Sequence, residues 1–337
     1  MKYYPITPKD IAIRGLKHAY RKITGIHFQN PECNCDRQES NDIVYDILAK
    51  GEPCMISRFG TTEINCINNY LTVHNKESRI KKIWQYISDN THTPWWNTQH
   101  FRTMSIYSGI FPPSQETAER FAERYLDDIP LIDVLASYVY YEKFMPLRPD
   151  VKKVQLEMLY PFFVERPWTR ILHGRKVLVI HPFEKTIQQQ YAKRKLLFDS
   201  PDILPDFELL TMKAVQSITG KTTPFKDWFE ALAYMEKQIL GIDFDVCILG
   251  CGAYGMPLAA YIKRLGKQAI HVAGGTQLLF GILGKRWTEQ YPGLNPWRYS
   301  NCDINIDYRP VFNQHWVFPS ETEKPENAKK VEDACYW

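Results

Sequence analysis

The feature that most restricts this chain is the alternation of short apolar runs with helical segments beyond residue 174. The runs KVLVI (176–180), FELL (207–210), DVCIL (245–249) and AIHV (269–272) are short and nearly continuous in apolar character. That is how strands covered on both faces read. Between them, residues 184–197, 228–240 and 256–265 keep helical spacing, and Gly241 closes the middle one. Strands separated by helices predict an α/β fold, a mostly parallel sheet with helices on both faces.

The strand at 245–249 runs directly into GCGAYG, residues 250–255. Gly250 permits a tight turn, Gly252 lets a phosphate approach the backbone, and Gly255 lets the next helix pack closely on the sheet. Tyr254 lies in the same turn. The helix behind it offers unpaired N–H groups and a positive dipole end, and Pro257 is harmless so early in a helix. This is a Rossmann-like unit, expected to hold the phosphates of a nucleotide-type ligand; a turn needed only for packing is the alternative. Gly275 and Gln277, just after the last strand, should border the same crevice. Lys285 and Arg286 supply charge nearby, unless they form a solvated basic turn. A dinucleotide site wants an acid on the ribose about twenty residues past the turn. His271 is there and no acid is, so NAD loses ground to a nucleoside diphosphate carrying a sugar.

Nearer the start, PCMI (53–56) reads as a buried strand ending in SRFG, and Thr61, Thr62 and Glu63 open a helix whose core face is Ile64, Ile67 and Leu71. Arg58 can grip a diphosphate bidentately. Glu63 is either a chemical group or a stabiliser of the helix dipole. His181 follows the strand at 176–180, at the end where ligands collect in such sheets. It is a candidate for proton transfer or phosphate contact, against a histidine satisfied at a strand end.

Four regions are expected. Residues 1–40 hold a basic amphipathic helix and a polar linker, and 41–74 the first strand, turn and helix of the sheet. Residues 75–170 form a largely helical, aromatic-rich insertion, with Ser114 capping one helix; 171–337 form the Rossmann-like nucleotide-binding region with a C-terminal tail. Trp95, Trp96, Tyr138, Tyr140 and Tyr141 either stack on a sugar or fill the core. In the helix at 8–24, Ile13, Leu16, Tyr20 and Ile23 share one side and basic residues much of the rest. It is either a solvated helix packed on the domain or a peripheral contact with the inner face of a membrane.

No apolar run is long enough to span a bilayer, and the N-terminus lacks a secretion signal's apolar core, so a cytoplasmic location is expected. The net charge of +4 calls for no nucleic acid. Of the eight cysteines, Cys33 and Cys35 form a lone C-x-C without a second pair at zinc spacing, so reduced thiols are expected.

Two segments, ISRFGTTEI and ILGCGAYGMPLAAYIKRLGKQAIHVAGGTQLLFGILGKRW, together resemble the bacterial GT-D-fold glycosyltransferases of surface-polysaccharide and glycoprotein assembly. That family pairs an early R-F-G-D-G-E-like motif with a later glycine turn. The resemblance implies a hexosyltransferase that moves a sugar from a nucleotide sugar, UDP-linked in the better-understood members, to a lipid-linked or protein-linked glycan. It also implies Arg58, Gly60 and the later glycines at the donor, with Glu63 or His181 as base. In the family a D-x-E binds a divalent metal, Mn²⁺ or Mg²⁺. Here Glu63 remains but Thr61 stands at the aspartate position, and a hydroxyl is a poor replacement for a charged oxygen. The alternatives are a non-catalytic nucleotide- or glycan-binding subunit of an assembly complex and, less favoured, a Rossmann oxidoreductase.

Overall fold

The computed structural model describes residues 4–25, 31–218, 223–288, 306–324 and 336–337. Most of the expected C-terminal tail lies outside them. The strands are β1 (Cys54–Ser57), β2 (Val134–Ser137), β3 (Lys152–Gln155), β4 (Lys176–His181), β5 (Glu208–Lys213), β6 (Val246–Leu249) and β7 (Gln268–His271). They form one seven-stranded sheet in the order β3-β2-β1-β7-β6-β4-β5, with every neighbouring pair parallel.

The longer helices are α1 (Pro8–Thr24), α2 (Arg37–Ala49), α3 (Thr61–His74), α4 (Arg79–Ile87), α5 (Thr98–Ser108), α6 (Gln115–Asp128), α7 (Glu184–Tyr191), α8 (Trp228–Leu240) and α9 (Gly255–Arg264). Short α10 (Gly275–Leu279) and α11 (Lys285–Thr288) follow. Successive strand residues feed opposite cores, as the two-residue period requires. Met55, Leu178 and Cys247 pack with Ile64 of α3, Phe121 of α6, Met235 of α8 and Leu258 of α9. Ile56, Val179 and Ile248 pack on the other side with Val44 and Leu48 of α2, Ile187 of α7 and Leu278 of α10. The doubly covered parallel sheet is as expected, and Ser114 caps α6 by accepting from the Thr117 N–H at 3.1 Å.

Three details differ from expectation. Residues 75–170 are largely helical, with α4 to α6, but they also carry β2 and β3, which extend the sheet beyond β1. Helix α1 does not bury the stripe read from its sequence. Ile13 is buried, but Leu16 is 58% and Ile23 84% exposed, while Lys17 is 7% exposed because Asp89 takes its ammonium at 2.7 Å. The thiols are not all reduced either. Cys35 is disulfide-bonded, while Cys33, Cys54, Cys66, Cys247 and Cys251 are free.

Candidate functional site

In open parallel sheets ligands collect beyond the strands' carboxyl ends, where neighbouring strands send their chains to opposite faces. After β4 the chain enters α7 on one face. After β6 it enters α9 on the other, and after β7 it returns to the first face through α10. The crevice therefore opens above β1, β7, β6 and β4, and the residues ending those strands are Ser57, His271, Leu249 and His181.

The glycine turn fills this place with three distinct roles. A side chain at Gly250 would put its Cβ 2.4 Å from the His181 ring and 2.9 Å from Thr276, so this glycine lets β4 and α10 close over the turn. Gly252 has φ +59° and nothing within 4 Å of an added Cβ, leaving its backbone open to a ligand. Gly255 begins α9, and an added Cβ there would lie 2.2 Å from His271 Nε2. Close packing of helix on sheet is the third glycine's expected part. Its partner is an imidazole.

On β1, Ser57 Oγ and His271 Nδ1 share a 3.3 Å hydrogen bond. The next residue, Arg58, is half-buried; one terminal nitrogen donates to the Phe59 carbonyl and the Tyr138 hydroxyl, both at 3.0 Å. Its Nε is buried and without a hydrogen bond among the described residues. Burial alone would lower the Arg58 pKa, but the surrounding Tyr138 and Glu63 outweigh it and raise the pKa, so the guanidinium stays charged. Gly60 exists for Glu63: an added Cβ would lie 1.7 Å from Glu63 Oε2, because that carboxylate folds back over the helix start. Glu63 is 7% exposed and accepts no hydrogen bond or ion pair among the described residues. The loop thus carries a half-buried cation and a buried anion, each with unused hydrogen-bonding capacity among the described residues. Native interiors retain such groups rarely.

Both imidazoles of the crevice are neutral. Burial pushes His181 down to about 3, and burial plus the nearby Arg58 charge pushes His271 well below its usual range. The Phe183 N–H donates to His181 Nδ1 at 3.0 Å, so the His181 proton sits on Nε2 and that atom can only donate. A general base works best with a pKa near the operating pH. His181 therefore presents a hydrogen-bond donor to this crevice.

The remaining expected residues divide. Arg286, at the start of α11, lies 4.7 Å over the Tyr336 ring. Gly275 is needed because Tyr160 would meet its Cβ at 2.3 Å. Lys285 is half-buried beside Arg286. Tyr254 turns its side chain into the core, stacked on Trp228 at 5.0 Å with its hydroxyl on Ser217, so only its backbone is left for a ligand. Gln277 gives its amide N–H groups to the carbonyls of Leu283 and Tyr336. Trp96 is core, its indole donating to Glu119, whereas Tyr138 does reach the site. Among the described residues no three His, Cys, Asp or Glu side chains converge to hold a metal, so Glu63 would bring a cation one charged ligand without a protein partner.

No family model matches the chain, and neither does any curated protein or solved structure. The site has to be read from its own chemistry.

Sequence reasoning missed His271, Tyr160, Glu157 and Glu142. Glu157, just beyond β3, is half-buried and takes a hydrogen bond from Tyr308. Glu142, beyond β2, accepts from the Ser137 hydroxyl at 2.5 Å and from the N–H groups of Tyr138 and Val139 at 3.0 and 2.9 Å. Burial still lifts it to about 7. Their signal was weak: isolated acids in a stretch taken for helix. No helix among the described residues is long and apolar enough to cross a membrane.

Proposed function

We propose that the chain is a glycosyltransferase that takes a sugar from a nucleotide donor, a UDP-sugar first among those to test, and passes it to a glycan acceptor. The observation that carries this reading is the position of His271. Its ring packs on Gly255, and its Nδ1 bonds Ser57 beside Arg58. The two segments that resemble the GT-D family are thereby joined through one side chain at one end of the sheet.

In this reading the open backbone at Gly252 and the start of α9 receive the diphosphate, as helix N-termini receive phosphates elsewhere. Arg58 neutralises the departing charge with the N–H it has not used, and His181 Nε2–H adds a donor without adding charge. Glu63 takes the proton of the acceptor hydroxyl. A divalent cation, if one binds, is held by Glu63 and the diphosphate and supplies further positive charge to the leaving group. Thr61, exposed at the first position of α3, adds only a hydroxyl.

The test is thermal unfolding with nucleotides and nucleotide sugars, with and without manganese, followed by turnover. A ligand at about 100 times its dissociation constant adds roughly 2.7 kcal/mol, a readily measured shift. Gly252→Val should remove the shift in a folded protein, because a branched side chain then occupies the phosphate approach at a positive φ. If no nucleotide shifts the transition at millimolar levels, the proposal fails. Binding without turnover would favour a non-catalytic subunit, the reading that Thr61 already invites.

A further inference from the structure

We propose a second anion site, on the inner side of α1, that binds a phosphate monoester. It stands independently of the glycosyltransferase reading. A cavity of about 440 Å³ opens there, with Arg14, Lys17 and Arg21 of α1 on one wall and His92, His100 and Tyr141 opposite. Cavities of this volume are of the size that holds small ligands. Among the described residues, Asp89 is the one carboxylate paired with these cations. It accepts from Lys17 at 2.7 Å and from Arg21 Nη2 at 2.6 Å, and it is only 3% exposed.

One structural need is met by that cluster: Asp89 ties α1 to the loop after α4. It does not account for Arg14, which makes no hydrogen bond or ion pair with any described residue. Three cations facing one carboxylate leave the cavity with an excess of two positive charges. Its other walls do not offset this. Burial and the Lys17 and Arg14 charges hold His92 at about 3, and burial holds His100 at about 4, so both rings are neutral donors or acceptors. Packing cations together in a partly desolvated cavity is unfavourable unless an anion joins them. A phosphate monoester carries up to two negative charges and three acceptor oxygens, matching both the excess charge and the ring of donors. A carboxylate would leave one charge unmatched.

The segment beyond β2 connects this cavity with the crevice. Tyr138 bonds Arg58, the Tyr140 hydroxyl donates to the Asp89 carbonyl at 3.2 Å, and Tyr141 lines the cavity. The ester could be soluble or the headgroup of a lipid, since Ile11, Leu16 and Ile23 leave α1 with exposed apolar side chains.

Titration calorimetry of the full chain with glycerol 3-phosphate tests the soluble source. Flotation with phosphatidylcholine vesicles, with and without phosphatidic acid, tests the lipid one. Arg14→Gln should weaken whichever probe binds by about tenfold, the loss expected for one charge-assisted contact, with an unchanged melting temperature. Lys50→Gln, an exposed charge just after α2, should change nothing. Arg14-dependent binding of glycerol 3-phosphate assigns a soluble ester, and Arg14-dependent flotation without it assigns a lipid headgroup. The proposal is overturned if neither probe binds at millimolar concentration, if Arg14→Gln binds as the parent does, or if Lys50→Gln loses as much. None of these outcomes depends on nucleotide binding at the glycine turn.

Discussion

Replacing Gly255 with alanine measures how tightly the two halves of the crevice are joined. At φ −62° and ψ −45° the backbone of Gly255 is ordinary helix, so any residue could adopt it. Helix propensity alone would favour alanine by about 1 kcal/mol. The obstacle is His271, whose Nε2, Cδ2 and Cε1 would stand 2.2, 2.4 and 2.7 Å from the new Cβ. The ring cannot yield easily. It is 2% exposed, sits on a central strand and is held by Ser57. Overpacking of this kind costs about 1–3 kcal/mol, and losing the Ser57 bond costs about 1 kcal/mol more. After the propensity gain, Gly255→Ala should destabilise the protein by about 1–3 kcal/mol, which a domain of ordinary stability survives. In a His271→Ala background the obstacle is gone and the same change should become neutral or stabilising. Urea denaturation of the parent, both single variants and the double variant gives the coupling, expected at about 1–4 kcal/mol. Equal costs in the two backgrounds, within about 0.5 kcal/mol, would refute the claim that His271 is what Gly255 accommodates.

Gly60→Ala should act on chemistry instead of stability, because the atom it displaces is the free end of the flexible Glu63 side chain. We expect a nearly unchanged melting temperature and turnover lower by about a hundredfold, measured with whichever nucleotide sugar the parent consumes; undiminished turnover would remove Glu63 from the reaction. The third prediction is acid sensitivity below the unfolded histidine pKa of about 6.5. Folded pKa values of His181 and His271 are depressed, so the unfolded chain binds the proton first and stability falls as pH drops from about 6.5 towards about 3. Each histidine should cost on the order of 1–2 kcal/mol by about pH 5. Glu142 has the opposite sign, since its raised folded pKa of about 7 lends stability that is lost as pH rises through that value. Unfolding curves across this range should therefore show His271→Asn reducing the acid slope and Glu142→Gln reducing the alkaline one. Slopes that match the parent would show that these groups titrate alike in both states.

The sheet was legible where its strands are apolar without interruption. Strand β6 is fully buried along VCIL, and α8 starts and stops at the expected residues because Asp227 caps it and Gly241 follows it. The two strands that were missed lack such a signal. VLAS in β2 is buried but ends in a small and a polar residue, and in β3 the sequence KKVQ begins with an exposed and a half-exposed lysine at the sheet's edge. Little in the local sequence distinguishes such strands from loops: β2 forms by pairing with β1, far away in the chain, and β3 by pairing with β2. Helix α1 misled for a related reason. Its buried position is filled by Lys17, whose burial depends on Asp89 arriving from another part of the fold.

The candidate site divides along the same line. A glycine turn is a local requirement of the backbone, so Gly250, Gly252 and Gly255 were readable, and the packing demanded at Gly255 is present. Protonation is a property of surroundings. The sequence offered His181 and Glu63 alike for proton transfer, and the burial of His181 and its bond from the Phe183 N–H are features of the fold that no local pattern announces. The same two imidazoles decide where positive charge can come from in the proposed reaction. Neutral rings contribute donors without charge, so in the proposed reaction a leaving diphosphate would be balanced by Arg58 and by the start of α9. The family motif places a carboxylate pair at this point, which adds negative charge that a cation must then offset. With threonine at position 61 that demand is smaller by one charge. In the proposed transfer Arg58 and a helix end would then supply that compensation.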